Sequence, residues 1–291
     1  MENQKDDILM KLRSSRSCVG TGYHLYTGNF KKIFRGSWAA ALVYALLCSA
    51  TGTVLVLRPE WLLPFTAVLL VGELLFAACG FSILREHQQT GTINRPQRIV
   101  SIDVPTLWRT VKMWLCLTLV YVIAGTVVGA VGYMAYRHLA LYTAMGCTAV
   151  AAIIAAMLLL PFFFIAMRYM LNRGTAFWPQ LGANYTIGLR HWGFIFVVVL
   201  MATLVQVLLL VVLTLPAAIL SIANLQAQQS VALGDPYGMP SYIATLTAVT
   251  YLLIGFIQAY VQLSFLFPCY YMYGAIETQE HERLDFNNTQ Q

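Results

Sequence analysis

Glu73 is the only acidic side chain inside any long apolar stretch of this chain. It lies about midway along its stretch, where an ionised carboxylate costs several kcal/mol unless it is paired or hydrated. One hypothesis is a protonatable site or a ligand contact. The other is a structural carboxyl that is protonated at pH 7 and hydrogen-bonded across a helix bundle. The apolar stretches contain no Lys, Arg or second carboxylate, which favours the structural hypothesis.

Three glutamines in other apolar stretches are the expected hydrogen-bond partners of Glu73. Gln258 and Gln262 are four residues apart and share a helical face, and Gln206 lies in the preceding stretch. Buried amides in membrane proteins mostly join helices, with a contribution of about 0.6 kcal/mol each. Helix joining is the role that we favour, and lining a polar cavity with Glu73 is the alternative. These four residues form the candidate ligand or proton site.

The histidines and cysteines do not indicate metal or catalytic chemistry. The five histidines are scattered over leaders, loops and span ends, whereas a metal site needs three or four converging ligands. The sequence contains no HExxH, GxSxG or phosphate-binding glycine loop. Its six cysteines form no CxxC pair and are typical of packing residues or free thiols. We therefore expect no enzymatic activity, no catalytic residue, no metal and no cofactor.

The composition is typical of a membrane protein with helical spans. Charged residues make up 10% of the chain and hydrophobic residues 59%, whereas a soluble domain has about a quarter charged residues. A hydrocarbon core of about 30 Å requires about 20 apolar residues per helix. Continuous apolar runs favour helices over the alternating strands of a barrel. The six stretches that meet the requirement are residues 38–57, 61–83, 113–134, 139–167, 192–222 and 242–273.

The last three stretches are longer than one membrane crossing requires. They can tilt, extend beyond the bilayer, or kink at Pro161, Pro216 or Pro268. The first stretch follows a polar leader and precedes the second by only a few residues, so we expect a retained span and no removable signal peptide. Small residues at every fourth position predict close helix contacts. These stripes lie at residues 41–53, 125–132 and 144–156.

One pattern recurs three times: an amphipathic segment with a basic residue near its end runs into a Trp that opens an apolar stretch. The segments are FKKIFRGSW at 30–38, LWRTVKMW at 107–114 and YTIGLRHW at 185–192. Their final Trp residues are 76 and 78 positions apart, and such a period indicates a repeated supersecondary unit. We predict an all-α membrane protein with six transmembrane helices, arranged as three repeats of an interfacial amphipathic helix plus a transmembrane hairpin.

The second segment shows the interfacial pattern most clearly. Its apolar side chains recur at helical spacing at Val104, Leu107, Trp108, Val111 and Leu115. Such a helix lies in the membrane plane with its aromatic side buried and its basic side hydrated. The alternative is a helix that packs beneath the bundle. The membrane-interface residues predicted from the three segments are Trp38, Trp108, Trp114, Trp178, Trp192, Arg35, Lys112 and Arg190.

The basic residues predict the orientation of the chain in the membrane. If both termini are cytoplasmic, sixteen of the 18 Lys and Arg residues lie on the cytoplasmic side, and only Arg58 and Arg137 lie outside. The positive-inside rule favours this topology over the reverse one. We therefore predict a multi-pass protein of a bacterial-type cytoplasmic (inner) membrane, with the N-terminus and the C-terminus in the cytoplasm.

Three regions follow from these spans. Residues 1–23 form a polar cytoplasmic leader that we expect to be poorly ordered, residues 24–275 the six-helix transmembrane domain, and residues 276–291 a cytoplasmic tail. The polar linker from Asn224 to Ser241 is the one sizeable outer loop. It is either a plain connector or a contact for an envelope partner. The net charge of +6 matches contact with anionic lipid headgroups, so we expect membrane lipids as partners and no nucleic acid.

With its amphipathic segments, basic residues and Trp-opened spans, the chain resembles uncharacterised bacterial inner-membrane families related to the membrane domain of glycerophosphodiester phosphodiesterases. The resemblance covers most of residues 25–275. The chain has no phosphodiesterase catalytic domain. The resemblance therefore implies a membrane-embedded accessory domain.

These residues are compatible with two functions from different classes. The first is a non-enzymatic membrane module, a scaffold or envelope component that works through lipids and through a possible membrane protein partner. The second is a transporter or carrier of a small or amphiphilic molecule, with a mid-membrane polar site around Glu73. A continuous polar cavity at mid-membrane would favour the carrier, and a dry packed bundle would favour the module. The sequence does not determine the oligomeric state.

Overall fold

The structure, a computed structural model, describes residues 9–93, 104–172, 174, 177–234, 240 and 242–289. Within these residues the chain forms nine α-helices and no β-strand, so the predicted all-α class is confirmed. A single 3-10 turn follows the second helix. The helices are α1 Ser15–Gly28, α2 Phe30–Leu57, α3 Leu62–Thr90, α4 Val104–His138, α5 Leu141–Leu159, α6 Pro161–Leu171, α7 Phe177–Arg190, α8 Trp192–Ala232 and α9 Ile243–Thr289.

Six helical segments of the described chain are long and apolar enough to cross a membrane, and each overlaps one of the six predicted stretches. Their length and composition indicate a multi-pass membrane protein. Helix α2 packs against α3, α4 against α5, and α8 against α9. Since consecutive spans run in opposite directions, α2, α4 and α8 begin at the same end of the bundle, where α3, α6 and α9 end. We call this end, which also holds most of the cations, the basic end.

The three long stretches use their prolines differently. Pro161 lies at the boundary between α5 and α6, so the helix is interrupted at this position. Pro216 and Pro268 lie inside uninterrupted helices. Helix α9 has 47 residues and is therefore about 70 Å long, more than twice the hydrocarbon thickness. This helix extends beyond any single membrane crossing.

Helix α9 is the centre of the bundle. It packs against α1, α2, α3, α6 and α8, and every residue from 267 to 277 is buried. Consecutive burial means that the segment is covered on its whole circumference, which an ordinary amphipathic helix is not. Tyr270 and Tyr273 are among the largest fully enclosed side chains. The tightest packing therefore lies at the basic end.

Small side chains allow α2 and α9 to approach closely. A methyl group added at Gly255 would lie 3.2 Å from the Cα of Ala45, and the Ser49 hydroxyl donates a hydrogen bond to the Ala248 carbonyl at 2.7 Å. The close contact predicted for the stripe at 41–53 is therefore confirmed. Gly125 and Gly129 of α4, in contrast, have open space beside them. For those two residues the prediction was wrong.

The predicted leader is partly a packed helix. Helix α1 begins at Ser15, with the Ser14 hydroxyl accepting a hydrogen bond from the Ser17 N–H at 3.3 Å. Cys18, Gly22 and Tyr26 recur every four residues and are buried, and α1 packs against α9. The expectation of poor order was therefore wrong from residue 15 onwards. Residues 1–8 lie outside the described part of the chain.

The predicted interfacial helices are not all separate elements. Residues 30–37 belong to α2 and residues 104–112 to α4, since no helix break precedes either span. Only the third segment forms a helix of its own, α7, which ends at Arg190 and is separated from Trp192 by His191. In the first junction Gly36 and Ser37 are buried inside α2, so the glycine does not end the helix. The second junction, Lys112 and Met113, contains neither Gly nor Pro and gives no reason for a break.

The predicted outer linker also begins later than expected. Helix α8 continues through Asn224 as far as Ala232. The Asn224 side chain is buried, and its amide nitrogen donates a hydrogen bond to the Val56 carbonyl at 2.6 Å. Asn224 thus fastens α8 to the end of α2 and does not start a loop. Residues 235–239 and 241 lie outside the described chain.

The hairpin of α4 and α5 lies at the edge of the bundle. The two helices pack mainly against each other, and α4 has further contacts with α3 and α6 near the basic end. Only 6% of the most apolar window of α4 is buried, compared with 50% for α9. Most of the apolar surface of this hairpin is therefore available to lipid.

The close approach of α1 to α9 predicts opposite effects at two glycines of α1. A methyl group at Gly22 would lie 2.6 Å from the backbone nitrogen of Pro268, whereas Gly20 has open space. We expect Gly22→Ala to destabilise the protein by about 1–3 kcal/mol, because backbone atoms cannot move aside. Gly20→Ala, the matched control, should raise stability by about 0.5–1 kcal/mol through helix propensity. Thermal unfolding of both variants in detergent checks this, and an equal melting temperature for the two would contradict it.

Candidate functional site

The structure brings three of the four predicted site residues together. Glu73 of α3, Gln206 of α8 and Gln262 of α9 line one cavity of about 250 Å³ near the middle of the spans. The rest of its described lining is apolar: Phe76, Ala77, Leu263, Phe265 and Leu266. Gln258 is half-buried on α9 and does not line this cavity.

The predicted hydrogen bond of Glu73 is not formed. Its carboxyl is half-buried and bonds neither to Gln206, to Gln258 nor to Gln262 among the described contacts. The Gln206 amide instead donates to the Val261 carbonyl at 2.8 Å. The hydrogen bond predicted for Glu73 was therefore wrong. For Gln206 the reason is that a backbone carbonyl of α9 accepts the amide donor. Gln206 itself joins α8 to α9, which is the helix-joining role that we predicted for the buried amides.

A buried ion pair at the basic end joins three helices. The Arg168 Nε of α6 lies 2.8 Å from Glu277 Oε1 of α9, and its Nη1 donates to Asn184 Oδ1 of α7 at 2.6 Å. The Glu277 side chain is 7% exposed and that of Arg168 24%. Removing one partner of such a pair leaves the other charge without compensation in a poorly solvated site. This arrangement fixes α6 and α7 against α9.

A second cluster of charges holds the start of α8. Glu280 Oε2 accepts a hydrogen bond from Arg190 Nη1 at 2.9 Å, and Glu280 Oε1 lies 2.8 Å from His191 Nε2. Arg283 approaches the same carboxylate at 3.8 Å. Arg190, predicted as a membrane-interface residue, therefore also links α7 to α9. The sequence signal for both charge clusters is a pair of glutamates three residues apart, Glu277 and Glu280, just after the last predicted span. Sequence reasoning did not use this signal.

Further polar side chains at the basic end contact neighbouring helices. The buried Arg85 of α3 donates from Nη1 to the Thr106 hydroxyl of α4 at 3.2 Å. His87 Nδ1 lies 3.0 Å from the Tyr270 hydroxyl. Both residues belong to the last turns of α3, where sequence reasoning placed only a connecting loop. Their role is to position α4 and α9 relative to α3.

The predicted interface residues lie at the surface of the basic end with two exceptions. Trp38, Trp108, Trp178, Arg35 and Lys112 are exposed. The other two tryptophans, Trp114 and Trp192, are half-buried, and the indole N–H of Trp192 donates to the Met157 carbonyl of α5 at 3.0 Å. Exposed Trp and cationic side chains at span ends are typical of a membrane interface.

The second amphipathic segment packs on the bundle by its small polar side. Thr106, Thr110 and Met113 of α4 are buried, whereas Trp108 is 60% exposed. In α7 the buried residues are likewise small or polar, Asn184 and Gly188. Trp108 of α4 therefore points away from the protein. In α7, in contrast, Phe177 packs against Tyr169 with ring centroids 4.8 Å apart, and the Tyr185 hydroxyl donates to the Leu158 carbonyl at 3.1 Å. The placement of these segments in the membrane plane, with packing beneath the bundle as the alternative, stays a prediction.

Two observations concern chemistry at the described side chains. Burial raises the pKa of the Cys18 thiol in α1 to about 11, so this cysteine is a neutral packing residue near pH 7. In the described part of the chain, no three His, Cys, Asp or Glu side chains are arranged to hold a metal ion. The arrangement at Glu73 offers one carboxyl and two amides, which can hydrogen-bond or exchange a proton with a small polar group.

No protein-family model, curated protein or solved structure matches this chain in the comparisons.

The buried pair at the basic end predicts a large effect at Glu277 and a small one nearby. We expect Glu277→Gln to destabilise the protein by about 2–4 kcal/mol, because it leaves the Arg168 guanidinium without a counter-charge. Glu282→Gln removes an exposed carboxylate of the same helix and should change the melting temperature little. Thermal unfolding in detergent measures both. Equal melting temperatures for the two variants would show that the ion pair does not hold α6 against α9.

Proposed function

We propose that the protein is a non-enzymatic integral membrane module, a scaffold or envelope component that acts through lipid and protein contacts. The observation that carries this proposal is the complete burial of residues 267–277 at the centre of the bundle. Burial on the whole circumference leaves no space for a solute beside this segment of α9. The charged residues Arg168, Glu277 and Glu280 are engaged in holding helices together, which is consistent with a structural role.

The proposal places the module in a bacterial-type cytoplasmic membrane with both termini in the cytoplasm. Its support is the charge distribution, since the described Lys and Arg residues other than Arg58 and Arg137 lie at the basic end.

The proposal also includes the threefold repeat. Its support is the pairing of consecutive spans as α2 with α3, α4 with α5 and α8 with α9.

The topology predicts which ends of the helices are accessible from outside. Ser230, exposed near the end of α8, should label with a membrane-impermeant thiol reagent on intact spheroplasts when replaced by Cys. Asn287→Cys, exposed in the last turns of α9, should label only after lysis. The native protein gives the background, since its cysteines lie within the spans or, for Cys18, buried in α1. Labelling of the Asn287→Cys variant on intact cells would reverse the topology.

A carrier of a small or amphiphilic molecule is the second candidate function. The observation in its favour is the convergence of Glu73, Gln206 and Gln262 on one cavity. Polar groups around an apolar-walled space can hold a ligand. The cavity volume of about 250 Å³ lies at the small end for ligand sites, and the fourth predicted site residue, Gln258, does not line it. For these reasons we place the carrier second.

Glu73→Gln separates the two functions. Glutamine keeps the size and hydrogen-bonding capacity of the side chain but cannot titrate. If Glu73 is structural, we expect this variant to have the same melting temperature as the native protein. We also expect it to correct any growth or envelope defect that a deletion causes. Gln258→Leu, a mid-span change outside the cavity lining, controls for general effects of altered polarity. A well-folded Glu73→Gln protein that behaves like the deletion, while Gln258→Leu does not, would make the carrier the leading function.

A further inference from the structure

A basic cavity lies between α4, α6 and α7 at the basic end. Its volume is about 570 Å³, and Arg109 and Lys112 of α4 contribute its cations. The remaining lining consists of aromatic and apolar side chains together with a thiol: Leu115, Cys116, Leu119, Tyr169, Phe177, Trp178 and Pro179. No carboxylate belongs to this lining in the described chain. The cavity therefore combines positive charge with an apolar wall.

The two cations are held in different ways. The Arg109 guanidinium lies 4.0 Å from the centroid of the Tyr169 ring and donates to the carbonyls of Tyr169 and Asn172. Its position at the mouth of the cavity is thus fixed by α6. The Lys112 ammonium is exposed and lies 5.3 Å from the centroid of the Trp108 ring. One cation is oriented and the other is free to turn towards a ligand.

A separate apolar groove lies further along α4, towards the middle of the span. It lies between α4, α5 and α7, has a volume of about 630 Å³, and begins at Val120, one residue after the last cavity residue of α4. Its described lining is apolar except for the hydroxyl of Tyr185. Val120 lies about 12 Å deeper along α4 than Lys112, and Val128, the last lining residue of α4, about 24 Å deeper.

The order of charge and apolar surface along α4 identifies the class of ligand. A phosphate group needs cations at the headgroup level, and an acyl chain needs an apolar surface in the half of the hydrocarbon core below it, which is about 15 Å thick. Lys112 and Arg109 meet the first requirement, and the groove between α4 and α5 meets the second. Exposed Trp108 and Trp178 mark the interface level beside the cations.

We propose that this surface holds an anionic phospholipid, with the headgroup at Arg109 and Lys112 and one acyl chain in the groove between α4, α5 and α7. The proposal deepens the proposed function and rests on it, since it names the lipid that the membrane module binds. The lipid fills space at the edge of the bundle that the helices leave open. It also joins the loosely packed hairpin of α4 and α5 to α7.

Two pairs of variants in detergent-purified protein test the site. Lys112→Gln removes the mobile cation, and Lys32→Gln, an exposed cation outside the cavity, is its control. Ala124→Trp fills the groove, and Val122→Trp, which changes an exposed residue outside the groove lining, is its control. Native mass spectrometry after titration with phosphatidylglycerol or phosphatidylcholine reports the bound lipid, and size-exclusion chromatography shows that each variant is folded.

We expect the native protein to retain phosphatidylglycerol more strongly than phosphatidylcholine. Lys112→Gln should weaken phosphatidylglycerol binding about fivefold, the change expected for one cation near an anionic surface. Ala124→Trp should weaken it as well, and both controls should bind like the native protein. Glycerol phosphate, which has the headgroup charge without acyl chains, should not displace the lipid at equal concentration.

Equal retention of the two lipids, or equal losses in Lys112→Gln and Lys32→Gln, would overturn the proposal. Displacement by glycerol phosphate would overturn it in favour of a site for free phosphate compounds. A dimer that Ala124→Trp abolishes, with no lipid bound, would overturn it in favour of a second copy in the groove. Each of these results leaves the thiol-labelling and Glu73 tests intact, so the failure of this inference is distinguishable from failure of the proposed function.

Discussion

The packing around residues 267–277 of α9 is the constraint on which the structure depends. Helices in a membrane gain little from the hydrophobic effect when they associate, because lipid is as apolar as their side chains. Close packing and polar contacts must supply the attraction. In this protein both are concentrated where α1, α3, α6 and α9 meet. The small residues Gly22 and Gly274 allow neighbouring backbone to approach this segment, which explains why it is buried on every side.

The polar contacts at the basic end have a second physical consequence. Arg168, Glu277, Arg190 and Glu280 lie where the helices leave the apolar region, so each charge has access to an opposite charge and to the membrane surface. The same charges at the centre of the spans would carry a much larger desolvation cost. The bundle is therefore held together at one end by ion pairs between charged side chains, and along its length by close packing at small side chains. This division is consistent with a rigid central group of helices.

The hairpin of α4 and α5 differs from that central group. It meets the rest of the protein near the basic end and leaves an apolar groove beside α7. A protein that worked only as a closed bundle would gain packing energy by filling this groove with side chains. The open edge, together with the cations above it, is more consistent with a protein whose working surface is the lipid around it. The cavity at Glu73 is lined by α3, α8 and α9 of the central group and is a separate feature.

The sequence by itself determined the class of protein, the number of spans, and their approximate positions. These properties depend on local composition, because about twenty consecutive apolar residues must form a helix in lipid to satisfy their backbone hydrogen bonds. The break at Pro161 was also foreseeable, since proline removes a backbone donor. The tertiary structure decided which face of each helix meets the bundle and which donors reach which acceptors. Gln206 bonds to α9 and not to Glu73, and α4 turns Thr106 inwards and Trp108 outwards. Such choices depend on how each helix is rotated against neighbours that are distant in sequence. When lipid and protein interior are equally apolar, hydropathy cannot distinguish one rotation from another.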